Sequence, residues 1–281
     1  MRNLFLILLL FSELSYAEIV SCMDEQGKKV FTDNKSICIG KSELKKHLNL
    51  TRFGRFYNEV PDLLQTIELA KLPDEGRAFC GPVAVSNSLV WLEGKKDKEH
   101  QISVVHKLSS SGYMNTNTKN GTGTTGLIRG VERYVKEVFG GYRELKYSGW
   151  RNAPKEYRSI FKQPTIDYMR SALNQNGAAW LNVGWYKYDQ QNEVFTRVGG
   201  HWVTLVGYES GELVIHDPAP QAGNGFSNEF VSYSEIKTGT LTGNKHGLPQ
   251  PAKGYYKLGK GMHIPKRADL AVIDGVVVLQ I

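Results

Sequence analysis

Cys80 stands directly before Gly81 and Pro82 in the stretch AFCGPVAVSNSLVWL, Ala78 to Leu92. A thiol that ionises is a nucleophile, and it ionises most readily at a helix N-terminus, where free N–H groups and the helix dipole favour an anion. Pro82 suits the first turn of a helix running forward, whereas Gly81-Pro82 cannot continue one running backward. Val83, Ala84, Asn87, Val90 and Trp91 then recur at helical spacing, and Gly94 supplies a stop. The pattern predicts a helix headed by Cys80. The competing assignment is a buried cysteine that packs the helix start and stays inert.

A thiolate nucleophile needs a base, and the base needs an orienting group. The chain has seven histidines. His47, His100, His106, His246 and His263 lie in charged or Gly/Pro-rich surroundings and read as surface residues. His201 differs, because GGHWVTLVGYESGELVIHDPAP reads as strand, turn and returning strand. Antiparallel pairing about a turn near Ser210 sets His201, at the start of one strand, beside Asp217, at the end of the other. Asp217 can then accept the imidazole N–H. Gly199 and Gly200 leave the backbone before His201 free to approach a cleft. His216 is the rival histidine, but strand alternation points it away from the face of Asp217.

These elements belong to a chain that begins with an export signal. Arg2, the apolar run Leu4 to Phe11 and the small residues around Ala17 read as a signal peptide, residues 1–17, too short to span a bilayer. The mature protein is then periplasmic or secreted; lipidation at Cys22, from a loose lipoprotein box at Ile19-Val20-Ser21-Cys22, is the alternative location signal. Two short runs, Ile19 to Met23 and Lys29 to Thr32, flank DEQGK, whose Gly27 can take the positive φ of a tight turn. A hairpin this small needs a staple. In an exported chain, a disulfide between Cys22 and Cys38 is the simplest one, contributing roughly 3 kcal/mol. That pairing leaves Cys80 single, either buried or a reactive thiol. The segment also resembles a short N-terminal module of unknown function in proteobacterial periplasmic proteins, with its DxxGK, F-T/S-D and closing cysteine; Ser21 replaces the usual aromatic. The expected organisation is the hairpin module at 18–40, a helical linker at 41–71 (SELKKHLNL, then EVPDLLQTIELAKL) and a large domain at 72–281.

Cysteine before Gly-Pro on a helix, then GGHWVTLVGY, then IHDPAP resemble the papain-like cysteine peptidases related to the bacteriocin-processing, double-glycine leader peptidases. GTGTTGLIRGVERYVKEVFG is similar to that family's loop and helix, and TIDYMRSALNQNGAAWLNVGWY to its helix and strand before the histidine. The similarity runs from about Leu72 to Thr242. It implies an α+β fold with helices packed on an antiparallel sheet, Cys80 as nucleophile, His201 as base and acid, and Asp217 as orienting carboxylate. It also implies a peptide or protein substrate. The family carries a glutamine six residues before the cysteine as oxyanion donor. Asp74 stands there instead, and Gln65 lies too far upstream to be assigned that role. Asp74, in the turn PDEG, is expected to bond its own backbone and point away. A transglutaminase-like acyltransferase or amidase with the same triad, and a non-catalytic peptide-binding relative, are the alternative functions.

The formal net charge of +7 is scattered among GKK, KSELKKH and EGKKDKEH, with no basic stripe interleaved with aromatics, so nucleic acid is not the expected partner. No apolar run in the sequence reaches transmembrane length. Gly121, Gly123 and Gly126 fit G-x-G-x-x-G, but YMNTNTKN before them is no strand, so a dinucleotide site is not expected. The loop is read as mobile, with Thr124 or Thr125 capping the next helix. No metal-ligand spacing occurs, and neither metal nor cofactor is expected. LAVIDGVVVLQI, near the C-terminus, predicts late strands. Substrate identity and oligomeric state are written in no motif.

Overall fold

The computed structural model describes residues 20–23, 29–32, 56, 58–174, 176–222, 229–243 and 248–281. The chain divides into two compact units, Met1–Asn49 and Leu50–Ile281. In the first, β1 (Val20–Met23) and β2 (Lys29–Thr32) pair antiparallel with Cys22 opposite Val30. Residues 1–17 and Cys38 lie outside the described residues, and so does the expected Cys22–Cys38 pairing.

The second unit is α+β. Its helices are α1 (Cys80–Leu92), α2 (Lys98–Ser109) and α3 (Thr124–Phe139), followed by β3 (Glu144–Gly149) and a short α4 (Ile166–Ser171). Two long strands come next, β4 (Gly177–Asp189) and β5 (Val194–Glu209), then β6 (Glu212–His216) and β7 (Glu229–Val231). Short strands β8 (Tyr233–Glu235), β9 (Thr240–Thr242), β10 (Gln250–Pro251) and β11 (Tyr256–Leu258) lead to β12 (Leu270–Gln280). They form a ten-stranded sheet ordered β10-β9-β5-β4-β12-β11-β8, with β3 on β12 and β6 and β7 continuing from β5. All pairings are antiparallel except β5 with β9. The C-terminal run is therefore a central strand, buried from Ala271 to Gln280, which explains its unbroken apolar character.

One sheet face takes the three long helices. Ala84, Leu89, Leu127, Val131 and Trp180 pack with Trp202 and Val277 in one core; Met169, Leu181, Val203 and Ile273 pack on the other face with α4. Helix α1 is buried on all sides from Gly81 to Val90, so its middle is not amphipathic. Its buried polar residues are satisfied: Asn87 Nδ2 donates to Thr204 Oγ1 at 3.3 Å, and Asn87 Oδ1 accepts from Gln101 Nε2 at 2.7 Å and the Leu63 N–H at 3.2 Å. Thr204 Oγ1 donates to the Ala84 carbonyl at 2.7 Å. The helix headed by Cys80 is thus tied to the strand carrying His201.

Two local expectations need correction. Residues 59–72 form no α-helix; the segment has a 3-10 turn at Glu68–Ala70 and is otherwise a strap across the domain. Its backbone is bonded elsewhere, with the Gln65 N–H on the Pro218 carbonyl at 2.8 Å, and Val60, Leu63, Ala70 and Leu72 are buried in the larger unit. Tertiary contacts override local propensity here. Helix α3 is capped by Gly123, with no side-chain cap from Thr124 or Thr125, because both lie inside the helix.

Candidate active site

The CGP sequence can now be explained by packing. Gly81 meets Thr122: a β-carbon there would come within 2.9 Å of Thr122 Cβ. The Thr122 carbonyl accepts Trp202 Nε1–H at 2.9 Å, and its hydroxyl pairs with Thr116 Oγ1 at 2.8 Å. Asn117 and Gly121 exchange backbone hydrogen bonds of 2.7 and 3.1 Å. The glycine-rich loop expected to be mobile is therefore fastened against the start of α1 and the strand next to His201. Cys80 is a free thiol, partly exposed at the first position of α1, where the leading N–H groups have no intrahelical acceptor.

His201 lies inside β5, which begins seven residues earlier, at Val194, than the sequence indicated. Ser210 and Gly211, at φ +52° and +86°, make a two-residue turn of the kind that matches strand twist. From this turn Glu209 faces Glu212 and Tyr208 faces Leu213, a register that would put Asp217 opposite Thr204, on the wrong face for His201. A β-bulge at Val206 corrects this. Past it Leu205 faces Ile215 and Thr204 faces His216, so the next residue, Asp217, turns onto the face of Val203 and His201. His201 Nε2 donates to Asp217 Oδ1 at 2.5 Å, and the same oxygen accepts the Ala219 N–H at 2.9 Å. His216 is directed elsewhere, with Nδ1 3.2 Å from the Pro61 carbonyl.

With Nε2 committed to Asp217, Nδ1 is the nitrogen left for the Cys80 thiol, which lines the same cleft. Trp185 stacks on the ring, centroids 5.9 Å apart and planes 20° from parallel. Histidine and aspartate are both buried, at 8% and 2% exposure, so they interact strongly. Burial alone lowers the proton affinity of the imidazole; the Asp217 carboxylate, then Cys80, reverse this and raise its pKa to about 10. The arrangement holds an imidazolium beside a sulfur nucleophile, which suits attack on an electrophilic carbon followed by proton delivery to a leaving group.

The raised value gives a pH signature. An unfolded histidine titrates near 6.5, so between 6.5 and about 10 the folded protein keeps a proton that the unfolded chain has lost. The pair's stabilisation is complete below 6.5 and disappears as pH rises through about 10. The stability gap between wild type and Asp217→Asn, from urea midpoints, should be widest near pH 6 and close by about pH 10.5. A gap constant over that range would show that Asp217 does not hold the proton.

A cleft of about 950 Å³ contains Cys80, His201 and Asp217, and Asp74 lies on its wall. Asp74 is exposed in the turn Pro73–Gly76 at φ +50°, ψ +43°; Glu75 is also left-handed, at φ +53°, and the Asp74 carbonyl accepts the Arg77 N–H. Such conformations cost roughly 1–2 kcal/mol each and are held by the surroundings. Gln65, too far upstream for the sequence to assign it a role, lines the same cleft at 6% exposure, its Nε2 donating to the Arg77 carbonyl at 2.8 Å. Gly76 makes this possible: at φ +75° a β-carbon would meet the Gln65 carbonyl oxygen at 1.8 Å. The signal available in the sequence is the strained turn PDEG, which folds an upstream strap back onto the helix start. His263, read as surface, is exposed but also borders the cleft, as do Asn182, Arg151, Arg197 and Arg267.

Among the described residues no group of three or more His, Cys, Asp or Glu could hold a metal ion, and no helix is long and apolar enough to cross a membrane. Comparison of the chain with family models and with curated proteins yields no match in either case.

Proposed function

We propose that this chain is an exported, papain-like cysteine peptidase that cleaves peptide bonds through Cys80, His201 and Asp217. The observation that carries the reading is the imidazole of His201 held between a helix-end thiol and a buried carboxylate. Cys80 Sγ attacks the amide carbonyl carbon, the C–N bond breaks, and the His201 proton leaves with the amine. Water then attacks the thioester, returns a proton to His201 and releases the acid as the C–S bond breaks. The helix-on-antiparallel-sheet layering supports the papain-like assignment. Incubating the mature protein with a peptide library, with Cys80→Ala as control, tests it. Cleaved products carrying new carboxylates support a peptidase; amide products in the presence of added amines would instead identify a transferase.

The oxyanion needs donors. The Cys80 backbone N–H is one, and the second N–H of Gln65 Nε2, whose first is spent on the Arg77 carbonyl, is the other. One such donor accounts for roughly a 10²-fold rate effect. Gln65→Ala should therefore slow turnover about 10²-fold with substrate binding little changed, whereas Asp74→Asn should stay within a few-fold. The reverse pattern would make the Asp74 carboxyl a participant.

Export and the N-terminal staple are part of the same proposal. Protein recovered from a periplasmic extract should begin at Glu18 and weigh two hydrogens less than the reduced chain. A retained Met1 overturns the signal peptide, and a lipid on Cys22 overturns the disulfide.

A further inference from the structure

The cleft has one strongly cationic end that the peptide-bond chemistry does not use. Arg197 donates from Nε to Asp274 Oδ2 at 2.6 Å, with its side chain 14% exposed and that of Asp274 fully buried. Its guanidinium lies over the strand beside the histidine: a β-carbon at Gly200 would come within 1.9 Å of Arg197 Nη2, and one at Gly199 within 2.7 Å of Arg267 Nη2. The expectation that these glycines open the backbone to a cleft is thus refined, since two guanidinium groups occupy the space that side chains would fill. Arg151 is close enough to Arg197 for the two charges to oppose each other, and burial and that repulsion both disfavour its cation. Asp274 serves both arginines but is hydrogen-bonded only to Arg197, through Oδ2, while Oδ1 accepts from Trp150 Nε1 and Tyr186.

Two buried polar atoms at this end have no hydrogen-bond partner among the described residues, Arg151 Nη1 and Asn182 Oδ1. A buried donor and acceptor left unpaired are costly, and a ligand that satisfies them recovers that cost. Across the whole cleft, five lysine or arginine side chains face two carboxylates. Of these two, Asp217 is bonded to His201 and Asp74 is exposed in the turn before Cys80. Asp274 offsets the charge of Arg197, and among the described residues no carboxylate is hydrogen-bonded to Arg151 or Arg267, so the arginine end keeps a positive charge.

We propose that Arg151, with Arg197 and Arg267, forms a subsite that binds a carboxylate of the peptide substrate, while Asn182 Oδ1 accepts an N–H of the same peptide. This deepens the peptidase reading and rests on it, since it assigns the substrate class: peptides carrying a free carboxylate close to the scissile bond. The carboxylate can be an Asp or Glu side chain or a chain terminus, because planar guanidinium forks bind either.

The test reads binding, not turnover. Cys80→Ala protein is immobilised and equilibrated with an equimolar library of acetylated tetrapeptides. The peptides come as Glu/Gln pairs and as free-acid/amide pairs, and retained members are counted by mass spectrometry. The carboxylate member of a pair should be enriched at least 5- to 10-fold, and in the Arg151→Gln and Arg267→Gln backgrounds the enrichment should fall to about 2-fold or less. Lys95→Gln, exposed and outside the cleft, removes the same charge and should leave the enrichment unchanged. Enrichment confined to Glu members, or to free acids, identifies the source of the carboxylate. Retention with no preference, or a preference that Lys95→Gln lowers as much as Arg151→Gln, overturns the subsite and leaves the peptidase reading standing. Retention of no peptide at all overturns both. Arg267 is exposed, so its variant keeps the test valid even if Arg151→Gln fails to fold.

Discussion

Replacing Cys80 with alanine should lower peptide turnover by roughly 10⁴- to 10⁶-fold, His201→Ala by a similar factor, and the double variant by no more than either single. The non-additivity follows from the geometry. Both proton transfers of His201, to the leaving amine and from the attacking water, serve the forming and breaking of the thioester, so once sulfur is gone the imidazolium has no thioester to form or resolve. Asp217→Ala should cost less, roughly 10²- to 10⁴-fold, since it orients the ring and stabilises the cation without touching substrate. Peptide binding should survive all three substitutions, because the cleft walls are built by Thr122, Trp185 and the strap carrying Gln65. Circular dichroism and a thermal melt separate chemistry from unfolding. A Cys80→Ala protein that keeps more than a tenth of the activity would place the reaction elsewhere.

Asp274→Ala should destabilise the protein by about 3–5 kcal/mol, because removing one member of a buried ion pair strands its partner. Asp274 occupies a bulge between β12 and β4, where the pairing shifts between Ile273 and Gly275. Its carboxylate is buried and accepts from Arg197, Trp150 and Tyr186, so truncation deprives all three at once. Burial tends to neutralise the Arg197 guanidinium, and Asp274 more than restores its charge. For a unit of this size the loss corresponds to a melting shift of roughly 10 °C. Asp274→Asn should cost less, since an amide oxygen still accepts two bonds. An Ala variant within about 1 kcal/mol of wild type would mean that Arg197 swings out to water and that the cationic end of the cleft is not fixed.

Much of the nucleophile side is visible in local sequence. The helix headed by Cys80 follows from Pro82 and the apolar spacing, and the β5–β6 hairpin follows from alternating residues around Ser210 and Gly211. These signals span a few residues, so local propensity decides them. What is not legible there depends on distant pairing. The Asp274–Arg197 contact joins residues 77 positions apart, and Gln65 reaches the cleft only because Gly76 and two left-handed residues fold a strap that reads as helix. EVPDLLQTIELAKL has helix-forming composition, yet the Pro218 carbonyl and the Asn87 amide capture its N–H groups. The turn alone brings Asp217 into the neighbourhood of His201, whereas its correct face depends on the bulge.

That bulge makes the spacing of the site a matter of odd and even. Across a two-residue turn, residues that face one another are an odd number of positions apart, as Glu209 and Glu212 or Tyr208 and Leu213 are. His201 and Asp217 are separated by 16, an even number, and so can share a face only if one strand carries an odd number of extra residues. The count itself therefore requires the bulge. It also restricts how this hairpin can drift in length. Two residues gained or lost slide the carboxylate along the face of the histidine, where a longer side chain can compensate. A single residue turns it to the opposite face, and no substitution at position 217 can bring it back.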